Sequence, residues 1–253
     1  MIDPLPLAPA FTVEQADCLD LLGRLPDASV DLILTDPAYS GMNQHLKLGR
    51  GRIVGVYKDA GQADGHWFPE FQDDPENFLR LLRACHRVLR NGRHLYIMFD
   101  SFSFIHLAPL VEQVFSVKQL IVWDKLNMGM GHYLRRRHEL ILLASKGHRA
   151  PNNHATPDVI RVKRVSRAAY PTQKPVALFS TLLAVSAEPG YVVCDPFLGA
   201  GSTAVVALRA GCDFVGGDIG ERAVRISRER CEQLIRTGDD PLEPILAGRR
   251  SRA

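Results

Sequence analysis

Tyr191-Val192-Val193-Cys194-Asp195-Pro196-Phe197-Leu198-Gly199-Ala200-Gly201-Ser202-Thr203 runs from a short apolar segment, through an acid and a glycine turn, into a helical pattern. That is the grammar of a buried strand feeding a helix. Open α/β sheets place their ligands at this edge. Gly199 and Gly201 let the backbone turn tightly and approach a ligand closely. A nucleoside triphosphate loop requires a lysine after the glycines, and here Ser202-Thr203 follows. A dinucleotide fingerprint is matched only in part, and a plain strand-to-helix turn stays open.

Working outward, Cys212-Asp213-Phe214-Val215-Gly216-Gly217 reads as the next strand and ends at Asp218. An acid about twenty residues beyond a glycine turn can accept hydrogen bonds from both hydroxyls of a ribose. Upstream, Pro171-Thr172-Gln173-Lys174-Pro175 opens a helical pattern. Nearer the start, Val30-Asp31-Leu32-Ile33-Leu34-Thr35 reads as a second buried strand, and Asp36-Pro37-Ala38-Tyr39 follows it directly.

The same alternation continues between these anchors. Strands are expected at 30–35, 93–99, 117–123, 138–145, 191–194 and 212–217. The clearest helix spans about 75–90, with Asp74 as its cap and Pro75 in its first turn. Phe78, Leu81, Leu82, Cys85, Val88 and Leu89 form its apolar stripe, and Asn91-Gly92 is the expected stop. Further helices are expected near 103–114, 175–187, 202–210 and 220–236. The pattern implies an α/β fold with a doubly wound, mostly parallel sheet. Residues 41–66 and 147–170 break the rhythm and read as loops or small inserts at the ligand edge.

Composition bounds the class. The chain has 253 residues, 46% hydrophobic and 23% charged, enough for a buried core without disulfides or metals. Cys18, Cys85, Cys194, Cys212 and Cys231 are odd in number and scattered, as reduced thiols in a cytoplasm would be. No run approaches the length of a membrane span, and no secretory leader is expected.

The net charge of +3 is unevenly spread. Residues 41–58 carry Lys47, Arg50, Arg52 and Lys58 with no acid. Residues 131–170 carry nine lysines and arginines against Glu139 and Asp158, and the tail adds Arg249, Arg250 and Arg252. The rest of the chain is therefore acidic. Basic segments on an acidic body suit a polyanion, and equally suit a solvated surface. His132, His138, His148 and His154 lie close together but match no zinc spacing. Trp67-Phe68 reads as packing for the first basic loop.

Asp36-Pro37-Ala38-Tyr39 and the 195–203 turn, in that order, resemble the catalytic and cofactor motifs of the beta group of S-adenosylmethionine-dependent DNA amino-methyltransferases. Val122-Trp123-Asp124-Lys125 and Arg137-His138-Glu139-Leu140 resemble that family's middle segments. The resemblance covers about residues 14–40, 75–147 and 170–236. It implies a Rossmann-like methyltransferase fold over 1–240, basic DNA-facing inserts at about 41–66 and 126–169, and a basic tail at 241–253.

The resemblance also implies roles. Asp36 and the Pro37 carbonyl would accept hydrogen bonds from an exocyclic amine, and Tyr39 would stack on an extruded base. Asp17 and Cys18 would meet the cofactor's adenine, and Lys174 its carboxylate. Asp36, Asp195, Phe197, Gly199, Gly201 and Asp218 would complete the S-adenosylmethionine site. The family's usual motif has proline where this chain has Ala38, and the lost ring costs loop rigidity rather than chemistry.

The resemblance implies double-stranded DNA as the substrate, with N6 of adenine preferred because Asp at the first motif position goes more often with adenine in that family. N4 of cytosine, RNA or a protein amide, and a non-catalytic DNA-binding module remain open. A homodimer is compatible with inserts this short, and no membrane partner is expected.

Overall fold

The structure is a computed structural model in which residues 9–39, 71–129, 133–166, 168–170 and 172–242 are described. The first basic insert, Trp67-Phe68, His132 and the tail from 243 onward lie outside the described residues. No described helix is long and apolar enough to cross a membrane.

The elements follow in the order β1 (Phe11–Gln15), α1 (Cys18–Arg24), β2 (Val30–Thr35), α2 (Pro75–Val88), β3 (Leu89–Phe99), α3 (Ser101–Val111), β4 (Ser116–Asp124), β5 (His138–Lys146), β6 (Val159–Arg161), α4 (Val176–Ser186), β7 (Val192–Asp195), α5 (Ser202–Arg209), β8 (Asp213–Asp218) and α6 (Glu221–Thr237). The eight strands form one sheet in the order β1-β8-β7-β2-β3-β5-β4-β6. All neighbouring pairs are parallel except those of β5, which runs against both β3 and β4. The mostly parallel α/β fold expected from the sequence is the fold observed.

Strand order explains why the two motifs meet. From β2 the chain moves outward to β3, and from β7 it moves the opposite way to β8. The sheet therefore reverses direction between β2 and β7, which pair directly through Leu32 with Val193 and Ile33 with Cys194. A crevice opens outside the strand ends at such a point.

Both faces of the sheet are covered. β2 is buried along its whole length, as a strand sandwiched between helices must be. Leu32 and Leu34 pack with α4, α5 and α6, while Ile33 packs with α1, α2 and α3. In α2, Asp74 accepts from the Asn77 amide at 2.9 Å and Pro75 sits in the first turn. Phe78, Leu81, Leu82, Cys85 and Val88 are buried on one side of that helix, each contributing about 1.5–3 kcal/mol of burial where fully apolar.

Several expectations need correction. Asn91-Gly92 does not stop α2. The helix ends at Val88, Leu89 caps it, and the chain enters β3 at once. Gly92 takes φ +70 inside β3. This kink brings Arg90 and Arg93 onto the same buried carboxylate, Asp31, which also accepts from the Val192 amide at 3.0 Å. Burial favours neutral Asp31, but these donors outweigh it and hold its carboxyl below the usual value. Residues 147–170 are not all loop, because 159–161 add the edge strand β6. The strand β1 and the helix α1 were also not expected. All five cysteines are free and buried.

Candidate active site

The carboxyl ends of the parallel strands, and the start of antiparallel β5, share one edge of the sheet. A cavity of about 770 Å³ opens there. Its wall includes Asp17, Cys18, Asp36, Pro37, Tyr39, Lys174, Asp195, Phe197, Gly199 and Asp218. The volume lies within the range of small-molecule sites. The tetrapeptide after β2 and the turn after β7 thus face one space.

Buried hydroxyls lock these two segments together. Asp195 accepts from Thr35 Oγ1 at 2.8 Å, Thr203 Oγ1 at 2.6 Å and the Phe197 amide at 3.1 Å. Burial raises the Asp195 carboxyl to about 6 despite these three donors. Asp195 therefore works as a tie between β2, β7 and α5.

Asp218 organises the glycine turn. Its two oxygens accept from the amides of Gly199 at 3.0 Å and Gly220 at 2.8 Å. Burial pushes its carboxyl upward against those two bonds. Each oxygen retains a lone pair for a further donor. Gly199 and Gly201 both have positive φ, +52 and +76. Gly201 is not in the cavity wall. It lies against α6, where a Cβ would come within 2.7 Å of Ser227 Oγ.

The tetrapeptide is more enclosed than its sequence implies. The Pro37 carbonyl already accepts from the Tyr39 amide at 3.0 Å. Tyr39 is 6% exposed, and its ring stacks on Phe99 at 5.4 Å with an interplanar angle of 11°. One face expected to be open to a base is therefore covered by Phe99. Among the described residues, the buried Tyr39 hydroxyl meets no hydrogen-bond partner, nor does Gln173 Oε1 in the same wall. Unpaired buried polar atoms facing a cavity are what a polar ligand satisfies.

Lys174 sits in the middle. Its ammonium bonds Asp36 Oδ2 and lies 3.8 Å from Glu139 Oε2. Burial would lower Lys174, but Asp36 and Glu139 outweigh it and hold the ammonium above its usual range. Burial pushes Asp36 up, opposed by Lys174 and aided by Glu139 and Asp100. The segment is anchored by Ser202 Oγ donating to the Lys174 carbonyl at 2.7 Å. Thr172 adopts φ +63, which is rare for a β-branched residue and marks local strain at the wall.

Asp17 caps α1, accepting from the Leu19 amide at 2.8 Å. It also lines the cavity beside Cys18, whose thiol burial raises to about 12. Glu139 and Lys125 line the wall too, although the sequence alone assigned them no role. Tyr170, 9% exposed, lies over the Gly199 turn.

A doubly wound sheet with a cleft at its switch point, lined by the strand-terminal acids Asp36, Asp195 and Asp218, defines an α/β protein with its ligand site at the carboxyl ends of its strands. A family model described as DNA methylase, of the N6/N4 type, matches residues 30–229. The chain belongs to that family. It is 30% identical over 228 residues to YubD of Escherichia coli (strain K12), named as a methylase, covering 88% of this chain and 90% of that one. The Type II methyltransferase M2.DpnII of Streptococcus pneumoniae is 27% identical over 241 residues, covering 86% and 88%.

Among solved structures, the PvuII DNA methyltransferase (cytosine-N4-specific) superposes with a TM-score of 0.65 at 14% identity, over 90% of this chain and 92% of that one. The M1.HpyAVI–SAM complex gives 0.63 at 20% identity, over 87% and 99%. At these identities the two structures establish a common fold.

Proposed function

We propose that this methylase transfers the methyl group of S-adenosylmethionine to the N6 amine of adenine in duplex DNA. The observation that carries the reading is the single cavity walled by both the Asp36 tetrapeptide and the Gly199 turn. The residues present fit the cofactor: Asp218 has lone pairs for ribose hydroxyls, Gln173 Oε1 has no partner among the described residues, and Lys174 is a cation suited to a carboxylate. Asp17 and Cys18 close the wall where an adenine ring would lie. When bound, the cofactor supplies an electrophilic sulfonium methyl.

The chain's own part is to prepare the amine. An exocyclic nitrogen is a poor nucleophile because its lone pair is delocalised into the ring. The Asp36 carboxylate and the second lone pair of the Pro37 carbonyl accept its two N–H bonds. That favours the pyramidal nitrogen of the transition state. The base must leave the helix to reach this depth. Arg136 and Arg164 in the cavity wall, with exposed Arg135 beside them, supply phosphate contacts on that side.

The test is nucleoside analysis of DNA from a methylation-free host expressing the chain. N6-methyladenine, lost in Asp36→Ala while cofactor binding persists, is the expected result. N4-methylcytosine without N6-methyladenine would overturn the choice of base. Methyl transfer to RNA or protein but not DNA would overturn the substrate class.

A further inference from the structure

Four side chains in the cavity wall form a row of alternating charge. Lys125 follows β4, Glu139 is the second residue of β5, Lys174 precedes α4 and Asp36 follows β2. Lys125 Nζ donates to Glu139 Oε1 at 3.1 Å, and the other Glu139 oxygen lies 3.8 Å from Lys174 Nζ, which bonds Asp36. The two lysine side chains are 14% and 11% exposed, and the two acids 28% and 27%. Asp100 after β3 and Asp195 at the end of β7 add negative charge around the same group.

This arrangement has a chemical consequence. An ammonium bonded to Asp36 draws electron density from the oxygens that must accept the amine protons. Glu139 competes for that ammonium, and Lys125 in turn competes with Lys174 for Glu139. A purely structural purpose is already served by other contacts. Trp123 pairs with Glu139 and Asp124 with His138 through the β4–β5 ladder, and Arg137 bridges Asp124 at 2.7 Å.

We propose that Glu139 is a positioning residue for methyl transfer, sharing Lys174 with Asp36 so that the Asp36 carboxylate keeps its acceptor strength. The proposal rests on the function proposed above. Asp36 remains the group that touches substrate, and Glu139 acts only through Lys174.

Carbon-13 carboxyl NMR titration of Asp36 in the full ligand-free chain tests this, alongside the pH dependence of kcat. Glu139→Gln is expected to lower the Asp36 midpoint by about one pH unit, the lower end of what a close opposite charge commonly gives. Lys174→Gln is expected to raise it. In the Lys174→Gln background, Glu139→Gln should move Asp36 by less than half as much. Lys125→Gln, which frees Glu139 to take more of Lys174, should raise the midpoint. This opposite sign decides the matter should Glu139→Gln fold poorly. In Glu139→Gln the acid limb of the kcat profile should follow Asp36 downward while KM for cofactor and DNA stays within about twofold.

An unmoved Asp36 midpoint, or equal shifts in both backgrounds, overturns the role of Glu139. A wild type that methylates neither base overturns instead the functional reading beneath it.

Discussion

Replacing Gly201 by alanine separates what the glycine turn does for the fold from what it does for a ligand. Gly201 caps α5 with φ +76 and ψ 25. A Cβ there would stand 2.7 Å from Ser227 Oγ, 2.9 Å from Ser227 Cβ and 3.2 Å from Ser227 Cα. Left-handed backbone costs a non-glycine residue about 1–2 kcal/mol. Overpacking a filled contact costs about 1–3 kcal/mol more. Alanine also stiffens the unfolded chain, which offsets about 0.4–1 kcal/mol.

The expected net loss is about 1–5 kcal/mol, against the roughly 5–15 kcal/mol typical of a folded domain. Urea denaturation followed by far-ultraviolet circular dichroism measures it. Ser227→Gly removes the two closest atoms, so Gly201→Ala with Ser227→Gly should lose less than the two single changes added together. Stability within about 0.5 kcal/mol of wild type, or strict additivity of the pair, would refute the packing argument.

Other perturbations probe the remaining ties. Arg230 and Asp240 form a buried ion pair, 1% and 0% exposed, and Arg230 also donates to the Ala200 carbonyl in the glycine turn. Asp240→Asn should cost about 3–5 kcal/mol by stranding the guanidinium, read from the same urea curves, and an unchanged midpoint would contradict that. Asp218→Ala should weaken S-adenosylmethionine binding by about 1–3 kcal/mol in isothermal calorimetry, and an unchanged Kd would remove it from the site. Asp195 binds its proton more tightly folded, near 6, than unfolded, near 3.8. Its contribution is therefore complete below the lower value and lost as pH rises through the higher one. Across that window wild type should lose up to about 3 kcal/mol relative to Asp195→Asn, and parallel pH–stability curves would contradict the shift.

The fold was legible where patterns were long. β2 spans the expected 30–35, and α2 carries its cap, proline and apolar stripe where the sequence places them. What escaped was short or set by tertiary contact. β6 has three residues and exists because Val122, Trp123 and Asp124 offer it an edge. β1 is held by pairing with β8, some two hundred residues away in the chain. Asn91-Gly92 looks like a helix stop by local chemistry, yet it falls inside β3, between Arg90 and Arg93, which both bond buried Asp31.

The site divides the same way. That Asp36, Asp195, Gly199 and Asp218 share one cavity wall was legible because strand-terminal acids and glycine turns carry local signatures. The partnership of Lys174 with Asp36 and Glu139 was not, since it joins the end of β2, the start of β5 and the segment before α4 at one edge. Nor does a sequence show that Tyr39 is stacked on Phe99 rather than standing open.

The most direct measurement is a crystal structure of the chain with S-adenosylmethionine bound. The ribose is expected on Asp218, the amino-acid end near Lys174, and the sulfonium methyl turned toward Asp36 and the Pro37 carbonyl. A cofactor seated away from the Gly199 turn, or a methyl directed away from Asp36, would contradict that expectation.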